Sequence, residues 1–238
     1  MSKTSTKNVL LKLGFVAVLI VLIFQIVLIC LFVQNKNMAK NIYNSNCESV
    51  LELKCVSNLN STTFGTAMII NDRGYIITNF HIINIDNNDI QVYVRFYDEQ
   101  DYREVEIIKY DEENDLACLK IKGSINRSLK PIRFETKQLN AGDRVFAMGN
   151  SLNYGITISE GIIGMPKLII EYNGKQREVI QADIAINNGN SGGALINSSG
   201  KVVGITTFRI KDKDNYIVYG NAYCIPNHII KEFIAKVI

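Results

Sequence analysis

The stretch of sequence that decides the fold of this chain is Gly189-Asn190-Ser191-Gly192-Gly193-Ala194-Leu195. Its serine stands among glycines, which accept positive φ angles and let a second molecule approach the backbone closely. A nucleophilic serine needs such surroundings when neighbouring N–H groups must also point at a developing oxyanion. Because the hydroxyl of Ser191 is a weak nucleophile by itself, a catalytic interpretation requires a base elsewhere in the chain.

The chain has 2 histidines from which that base can come. An apolar, β-branched run ends at His81 and predicts a strand that delivers this histidine to a loop. His228 precedes a helical pattern near the C-terminus, and we expect it to be structural. Asp115 opens a strand-like run, where a buried acid could fix the tautomer of the histidine. The order His81, Asp115, Ser191 is that of the chymotrypsin-type triad.

Five segments, in this order along the chain, resemble the HtrA (Deg) type of trypsin-like serine peptidase. The resemblance implies an all-β fold, a chymotrypsin-like double β-barrel with a short C-terminal helix. It also implies that His81 is the general base, Asp115 its orienting acid and Ser191 the nucleophile. The segments are Gly65–Ile70, Thr78–His81, Asp115–Ala117, Ala147–Asn150 and Gly189–Gly193.

The resemblance further implies an oxyanion hole and a substrate pocket. The oxyanion hole is expected from the N–H groups of Gly189, Asn190 and Ser191. Ala185, six residues before the serine, puts no charge at the base of the specificity pocket, so small or medium aliphatic residues are expected before the cut. A substrate strand is expected to pair with residues 206–208, which can also be ordinary core residues. The expected substrate-binding residues are Ala185, Ile186, Asn187, Thr206, Thr207 and Phe208.

The segment Gly149–Gly155 occupies the place of the family's activation loop, and Ser151 stands where the family often has proline. The sequence leaves open whether this loop rests in an active or a collapsed arrangement.

A second catalytic hypothesis, the nucleophile elbow of α/β-hydrolases, would use Ser191, Asp212 and His228. That elbow needs a helix after the serine, whereas an Asn-Ser-Ser-Gly turn between two apolar runs predicts a hairpin here, so we reject it.

Residues 13–33 form an uncharged apolar segment with one polar side chain, Gln25. At about 1.5 Å per residue such a helix spans roughly 30 Å, the thickness of a bilayer core. Because a cleaved signal peptide has a shorter apolar region and a small-residue cleavage site, we expect an uncleaved transmembrane signal anchor. The small lysine excess before the span favours a cytoplasmic tail, residues 1–12, and a protease domain on the extracellular face of the cell membrane. These lysines are Lys3, Lys7 and Lys12 before the span and Lys36 and Lys40 after it.

The rest of the chain predicts a stalk and one two-barrel domain. The expected ranges are 34–48 for the stalk, 49–238 for the trypsin-like domain, 49–121 and 141–225 for its barrels and 227–238 for a closing helix. A net charge of +3 gives no argument for nucleic acid, and no metal or cofactor site is expected. We expect no PDZ domain after the protease, a departure from most HtrA-type proteins. A homotrimer is expected from the resemblance alone.

The sequence therefore predicts a membrane-tethered serine endopeptidase without a cofactor, acting on polypeptide substrates. The resemblance implies that these are unfolded or membrane-proximal proteins and that the role is protein quality control. The alternative is a catalytically silent peptide-binding module of the same fold.

Overall fold

The protein is described from a computed structural model, which covers residues 3–59, 61–84, 90–172, 174–211 and 217–238. The chain divides after Lys40 into an N-terminal unit and a second unit, Asn41–Ile238. The N-terminal unit contains helix α1 (Lys3–Lys36), whose part Lys12–Lys36 is long and apolar enough to cross a membrane. A second helix, α2, covers Met38–Asn46.

The second unit is built from strands that form two closed barrels. The elements are β1 (Val50–Ser57), β2 (Thr62–Ile69), β3 (Tyr75–Thr78), α3 (Phe80–Ile83), β4 (Ile90–Arg95), β5 (Arg103–Asp111), β6 (Leu116–Ile121), β7 (Arg144–Gly149), β8 (Thr157–Tyr172), β9 (Lys175–Asp183), β10 (Ala194–Asn197), β11 (Val202–Lys211), β12 (Ile217–Pro226) and α4 (Asn227–Ala235). The first barrel has the strand order β1-β2-β3-β6-β5-β4, and the second has the order β10-β11-β12-β9-β8-β7.

Each barrel encloses its own apolar core, because alternate residues of a strand point to the same side of the sheet. In β6 these inward residues are Ala117, Leu119 and Ile121. Strand β3 lies between β2 and β6, with Ile77 opposite Met68 on one side and Cys118 on the other. Since β3 is fixed from both sides, it holds the short helix α3 that follows it in a defined position.

The second barrel has the same construction. Its core includes Val145 and Ala147 of β7 and Leu195 of β10, and β7 pairs with β10 to close the barrel. Ile230 and Phe233 of α4 are buried. The expected all-β double barrel with a short C-terminal helix is therefore confirmed.

The chain after Ser191 forms a hairpin, as the sequence predicts. Strands β10 and β11 pair, and the turn between them is closed by the N–H of Asn197, which donates to the carbonyl of Lys201 at 2.9 Å. Over the described residues 192–211 the serine is followed by turns and strands and by no helix, which excludes the nucleophile elbow. Asp212, the acid of that hypothesis, lies outside the described residues.

The range expected to be a stalk contains a helix that belongs in part to the folded unit. Ile42 and Asn46 of α2 are buried. The hydroxyl of Tyr43 donates a hydrogen bond to the carbonyl of Ile156, at the start of the second barrel's strand β8, at 3.2 Å. Part of the range 34–48 therefore belongs to the folded unit, which begins at Asn41.

Candidate active site

His81 and Asp115 form a hydrogen-bonded pair at one end of the first barrel. Helix α3, directly after β3, carries the histidine, and the turn before β6 carries the aspartate. Nδ1 of His81 lies 2.8 Å from Oδ2 of Asp115, and the backbone N–H of His81 donates to Oδ1 at 2.9 Å. When Nδ1 donates its proton to this carboxylate, Nε2 is left as the basic nitrogen.

The carboxylate of Asp115 is buried, and the backbone of this residue has a positive φ angle. Its φ angle of +55° lies in the left-handed region, which costs roughly 1–2 kcal/mol for an L-residue. Its carbonyl is held by the N–H of Phe80 (3.1 Å) and by Nδ2 of Asn79 (3.0 Å). A further hydrogen bond comes from Oγ1 of Thr207 to Oδ2 (2.7 Å). Such strain persists only where the surroundings fix it, and it is common at functional sites.

The protonation state of Asp115 follows from two opposing effects. Burial alone would raise the pKa of this carboxyl, but the hydrogen bonds and charge of His81 and the hydrogen bond of Thr207 outweigh it. The pKa of Asp115 therefore lies below its ordinary value, and the group is a carboxylate at neutral pH. An ionised acid at this place can stabilise a positively charged His81.

Ser191 shares a cavity of about 450 Å³ with His81 and Gly189. Among the residues that the structure describes, the partner of its hydroxyl is the carbonyl of Thr207, to which Oγ donates at 2.8 Å. The serine is therefore beside the histidine but is not hydrogen-bonded to it. A rotation about the Cα–Cβ bond would be needed to direct Oγ at the imidazole.

Two backbone N–H groups near Ser191 are free to donate. Within the described part of the chain, neither the N–H of Gly189 nor that of Ser191 has a hydrogen-bond acceptor. The preceding carbonyl, of Asn188, accepts from the N–H of Leu152 at 2.8 Å. Since a trans peptide is planar, this contact turns the N–H of Gly189 to the opposite side. The loop 149–155 thus rests in an arrangement that leaves the N–H of Gly189 available.

Asn190, the third residue expected in the oxyanion hole, does not supply a free donor. Its N–H donates to the carbonyl of Asn187 at 3.0 Å, which closes a tight turn before the serine. The expectation for Asn190 is therefore corrected: the geometry leaves two donors, not three.

Thr66 joins the first barrel to the loop that carries Ser191, residues 187–193, which we call the serine loop. The sequence did not predict this role. Its buried hydroxyl donates to the carbonyl of Gly189 (2.7 Å) and accepts from the N–H of Asn150 (2.8 Å). Its N–H donates to the carbonyl of Ser191 (2.9 Å), and its own carbonyl accepts from Oγ1 of Thr78 (2.7 Å). The available signal was a hydroxyl residue beside Gly65 in the first quoted segment, but nothing in the sequence gives its distant partners.

The expected specificity residues lie on two sides of the serine. Ala185 accepts a hydrogen bond from Oγ of Ser159 through its carbonyl (2.7 Å), and Ile186 is buried. Nδ2 of Asn187 donates to Oγ of Ser151 at 3.2 Å. None of these three residues lines the cavity of about 450 Å³ or a second cavity beside His81, of about 290 Å³, which Asp115 also lines.

The strand residues behave differently from one another. Thr206 and Thr207 are buried, and Oγ1 of Thr206 donates to the carbonyl of Asn190 at 2.5 Å. Phe208 stacks on Tyr223 with 5.7 Å between ring centroids and lines the second cavity beside His81.

Over the described residues, no group of three or more His, Cys, Asp or Glu side chains could hold a metal ion. His228 is remote from the serine loop in its contacts and lies 3.3 Å from Glu178.

Comparison with known proteins identifies the family. Residues 65–205 match the trypsin-like peptidase domain, which is more than half of the chain. The chain belongs to the trypsin-like peptidase family. The match begins at Gly65, one residue before Thr66, and ends in β11, so it contains His81, Asp115 and Ser191.

Similar members of the trypsin-like peptidase family are HtrA-type proteases. Serine endoprotease DegS of Haemophilus influenzae is 35% identical over 198 residues, which is 83% of this chain and 56% of DegS. DegS of Escherichia coli K12 is 36% identical over 204 residues, with 83% and 54% covered. The serine protease Do-like HtrA of Lactobacillus helveticus is 36% identical over 174 residues, with 70% and 41% covered. The chain therefore spans about half the length of these relatives.

A solved structure gives the same assignment for this trypsin-like peptidase. A serine-to-alanine variant of the HtrA-type protease AlgW, described with a tripeptide, superposes with a TM-score of 0.72 at 28% identity. The superposition covers 84% of this chain and 63% of the other. The resemblance to HtrA-type proteases drawn from five sequence segments is confirmed.

Proposed function

We propose that this protein is a membrane-tethered serine endopeptidase in which Ser191 is the nucleophile, His81 the general base and Asp115 its orienting acid. The observation that carries the proposal is one cavity lined by Ser191, His81 and Gly189, with the carboxylate of Asp115 hydrogen-bonded to the histidine. Among the described residues, the N–H of Gly189 has no acceptor. The names of the relatives support the same chemistry, since DegS and HtrA are called serine proteases.

The proposed reaction begins when Oγ of Ser191 leaves the carbonyl of Thr207 and turns to Nε2 of His81. Oγ then attacks the scissile carbonyl carbon while His81 takes the hydroxyl proton. The N–H groups of Gly189 and Ser191 stabilise the oxyanion that forms. His81 returns the proton to the leaving amine, and an acyl-enzyme remains on Ser191. A water molecule, deprotonated by His81, hydrolyses this ester and restores the serine.

The side chain before the cut is proposed to be small or medium and aliphatic. Ala185, at the position that the family resemblance assigns to the base of the pocket, carries no acid that could pair with lysine or arginine. A substrate strand would pair with β11 at Thr206–Phe208, which gives affinity through backbone hydrogen bonds with little dependence on sequence.

The tether is proposed to be helix α1. Its stretch Lys12–Lys36 is long and apolar enough to cross a bilayer. The lysine distribution favours a cytoplasmic N-terminus, which would put the two-barrel unit on the extracellular face.

The proposed substrates are unfolded proteins or membrane-proximal segments of other proteins, in a quality-control role supported by family analogy. A trimer is a further proposal from that analogy.

A cleavage assay tests this function directly. The full chain in detergent micelles is incubated with an unfolded protein, and fragments are followed by mass spectrometry. Cleavage is expected for the wild type and should disappear in Ser191→Ala and His81→Ala. His228→Ala is the matched control, because His228 contacts Glu178 and not the serine loop. Equal cleavage by wild type and Ser191→Ala would refute the proposal.

The rival function is a peptide-binding module without catalysis. The hydrogen bond from Ser191 to Thr207 favours it, since the serine in this arrangement is not directed at its base. Such a module would bind unfolded peptides equally well in wild type and Ser191→Ala and would produce no fragments with either.

A further inference from the structure

Helix α2 contacts the chain at the end of the loop 149–155. The hydroxyl of Tyr43 donates a hydrogen bond to the carbonyl of Ile156 at 3.2 Å. Strand β8 begins at the next residue, Thr157, which pairs with Gly149, the last residue of β7. The carbonyl of Ile156 therefore stands at the junction where the loop ends and the ladder begins, and Tyr43 is bound to this junction.

Helix α2 is itself fixed on the second barrel. Ile42 and Asn46 are buried, and both lie beside Gly200 in the turn between β10 and β11. A Cβ atom at this glycine would lie 3.8 Å from Cδ1 of Ile42 and 3.7 Å from Nδ2 of Asn46. Burial raises the pKa of the Tyr43 hydroxyl above its ordinary value, so this group keeps its proton and can donate. Tyr43 therefore offers the loop a donor at a defined position.

A hydrogen-bond network joins the two ends of the loop. The N–H of Gly155 donates to Oδ1 of Asn150 at 3.0 Å, and Nδ2 of Asn150 donates to Oδ1 of Asn153 at 3.3 Å. The N–H of Asn153 donates in turn to the carbonyl of Asn150 at 3.2 Å. Because Asn150 is buried and binds both Gly155 and Asn153, a displacement at Ile156 shifts the segment between them.

The middle of the loop orients the serine loop. The N–H of Leu152 donates to the carbonyl of Asn188, and this contact turns the N–H of Gly189 to the opposite side. The φ angles of Leu152 and Asn153 are +54° and +61°, in the left-handed region. A bulky residue in this conformation is an outlier that persists only where its surroundings restrain it. Loss of a restraint at the end of the loop should therefore populate arrangements in which the carbonyl of Asn188 is released.

We propose that Tyr43 is a positioning residue of this protease: its hydroxyl restrains the loop 149–155 and so keeps the N–H of Gly189 turned toward the oxyanion. The inference rests on the proposed function, because an oxyanion forms only if Ser191 attacks a carbonyl. It gives α2, which lies in the sequence between the proposed membrane tether and the barrels, a part in the rate of the reaction.

Two tyrosine variants separate this role from a general effect of losing a hydroxyl. Tyr43→Phe keeps the ring, so the packing of α2 is preserved. Tyr93→Phe is the matched control, because the hydroxyl of Tyr93 donates to Oε1 of Gln91 at 2.8 Å on β4 of the first barrel. Both variants and the wild type are assayed as full chains in micelles on a peptide ester ending in valine. Labelling with a fluorophosphonate counts the active sites, so kcat is expressed per labelled Ser191.

A peptide boronic acid measures the oxyanion donors separately from turnover. Oγ of Ser191 forms a bond to boron, its proton passes to His81, and the boronate carries the negative charge that the donors bind. Tyr43→Phe should lower kcat about two- to tenfold, which is the contribution of one hydrogen bond between uncharged groups. It should weaken boronate binding by a similar factor and leave KM unchanged, because the donors act in the transition state. Tyr93→Phe should match the wild type in all three quantities.

Parallel losses of kcat and boronate affinity in Tyr43→Phe, with Tyr93→Phe unchanged, support the inference. Wild-type values of both in Tyr43→Phe overturn it and leave the protease function intact. The inference also fails if Tyr93→Phe loses as much, or if Tyr43→Phe lowers only the number of labelled sites or raises only KM. The hydroxyl would then serve folding or substrate binding. A wild type that neither cleaves the ester nor is labelled at Ser191 overturns the proposed function and this inference together.

Discussion

Removing the hydroxyl of Thr66 should damage catalysis and stability together. Thr66→Val keeps the β-branched shape of the side chain, so the packing of β2 is preserved. The substitution leaves the carbonyl of Gly189 and the N–H of Asn150 without their buried partner. Each buried polar group left unsatisfied costs about 1–3 kcal/mol, so the free energy of unfolding should fall by about 2–6 kcal/mol.

The catalytic effect should fall mainly on kcat. The peptide between Gly189 and Asn190 lies between the two proposed oxyanion donors, which on this proposal bind the charge that develops in the transition state. Loss of one complete donor costs about 100- to 1,000-fold in kcat, so partial misplacement in Thr66→Val should cost about 10- to 100-fold. Urea unfolding measures the first quantity, and initial rates on a peptide ester measure the second.

Thr66→Ser is the matched control, because it keeps the hydroxyl and removes one methyl group. It should recover most of the kcat lost in Thr66→Val. The explanation fails if Thr66→Val keeps the wild-type kcat, or if Thr66→Ser is as slow as Thr66→Val, since the hydroxyl would then have no part in positioning the loop.

Three further changes test other contacts of the site and fold. Thr207→Val removes the 2.7 Å hydrogen bond to Asp115 and should lower kcat/KM about tenfold or more in initial-rate assays, because a hydrogen bond to a charged group contributes about 1.5–3 kcal/mol. Gly189→Ala should abolish the acyl-enzyme burst, because its φ angle is +93° and a Cβ atom would collide with the carbonyl of Asn150. Glu135 accepts hydrogen bonds from the backbone N–H groups of the two residues after it, and these lower its pKa to about 2. Because this pKa is depressed in the folded state, the carboxylate's contribution to stability is complete above the unfolded value of about 4.3 and is lost as the pH falls toward 2. The difference in Tm between wild type and Glu135→Gln should therefore shrink between about pH 5 and pH 3.

Each of these predictions has a clear opposite result. A wild-type kcat/KM in Thr207→Val would mean that Asp115 is held adequately by His81 and its own backbone. An undiminished burst in Gly189→Ala would show that the loop adapts to a side chain at this position. A Tm difference for Glu135→Gln that does not change with pH would assign the contribution of Glu135 to packing and not to its charge.

The sequence was sufficient for the fold because the relevant signals are local. Alternating apolar residues predict strands, and a turn between two apolar runs after Ser191 correctly predicts the hairpin of β10 and β11. The candidate residues His81, Asp115 and Ser191 could also be proposed, since each lies in a segment with a distinctive local pattern. The structure brings His81 and Asp115 into contact although 34 residues separate them.

Other features depend on contacts that no local pattern contains. Thr66 binds Gly189 across 123 residues, and Thr207 binds Asp115 across 92 residues, so neither hydroxyl could be assigned a partner beforehand. The N–H of Asn190 donates to the carbonyl of Asn187 and closes a four-residue turn, whose formation depends on the exact path of the loop. The hydrogen bond from Tyr43 to Ile156 joins part of the expected stalk to the folded unit. It also links distant residues, so no local pattern predicts it.

The central claim is that Ser191 is an activated nucleophile, and covalent labelling tests it most directly. The full chain in micelles is treated with a fluorophosphonate, and the modified residue is located by mass spectrometry. We predict one adduct on Ser191 that is absent in His81→Ala and retained in His228→Ala. An unlabelled Ser191 in the wild type, in the presence as well as the absence of an unfolded protein substrate, would contradict the claim.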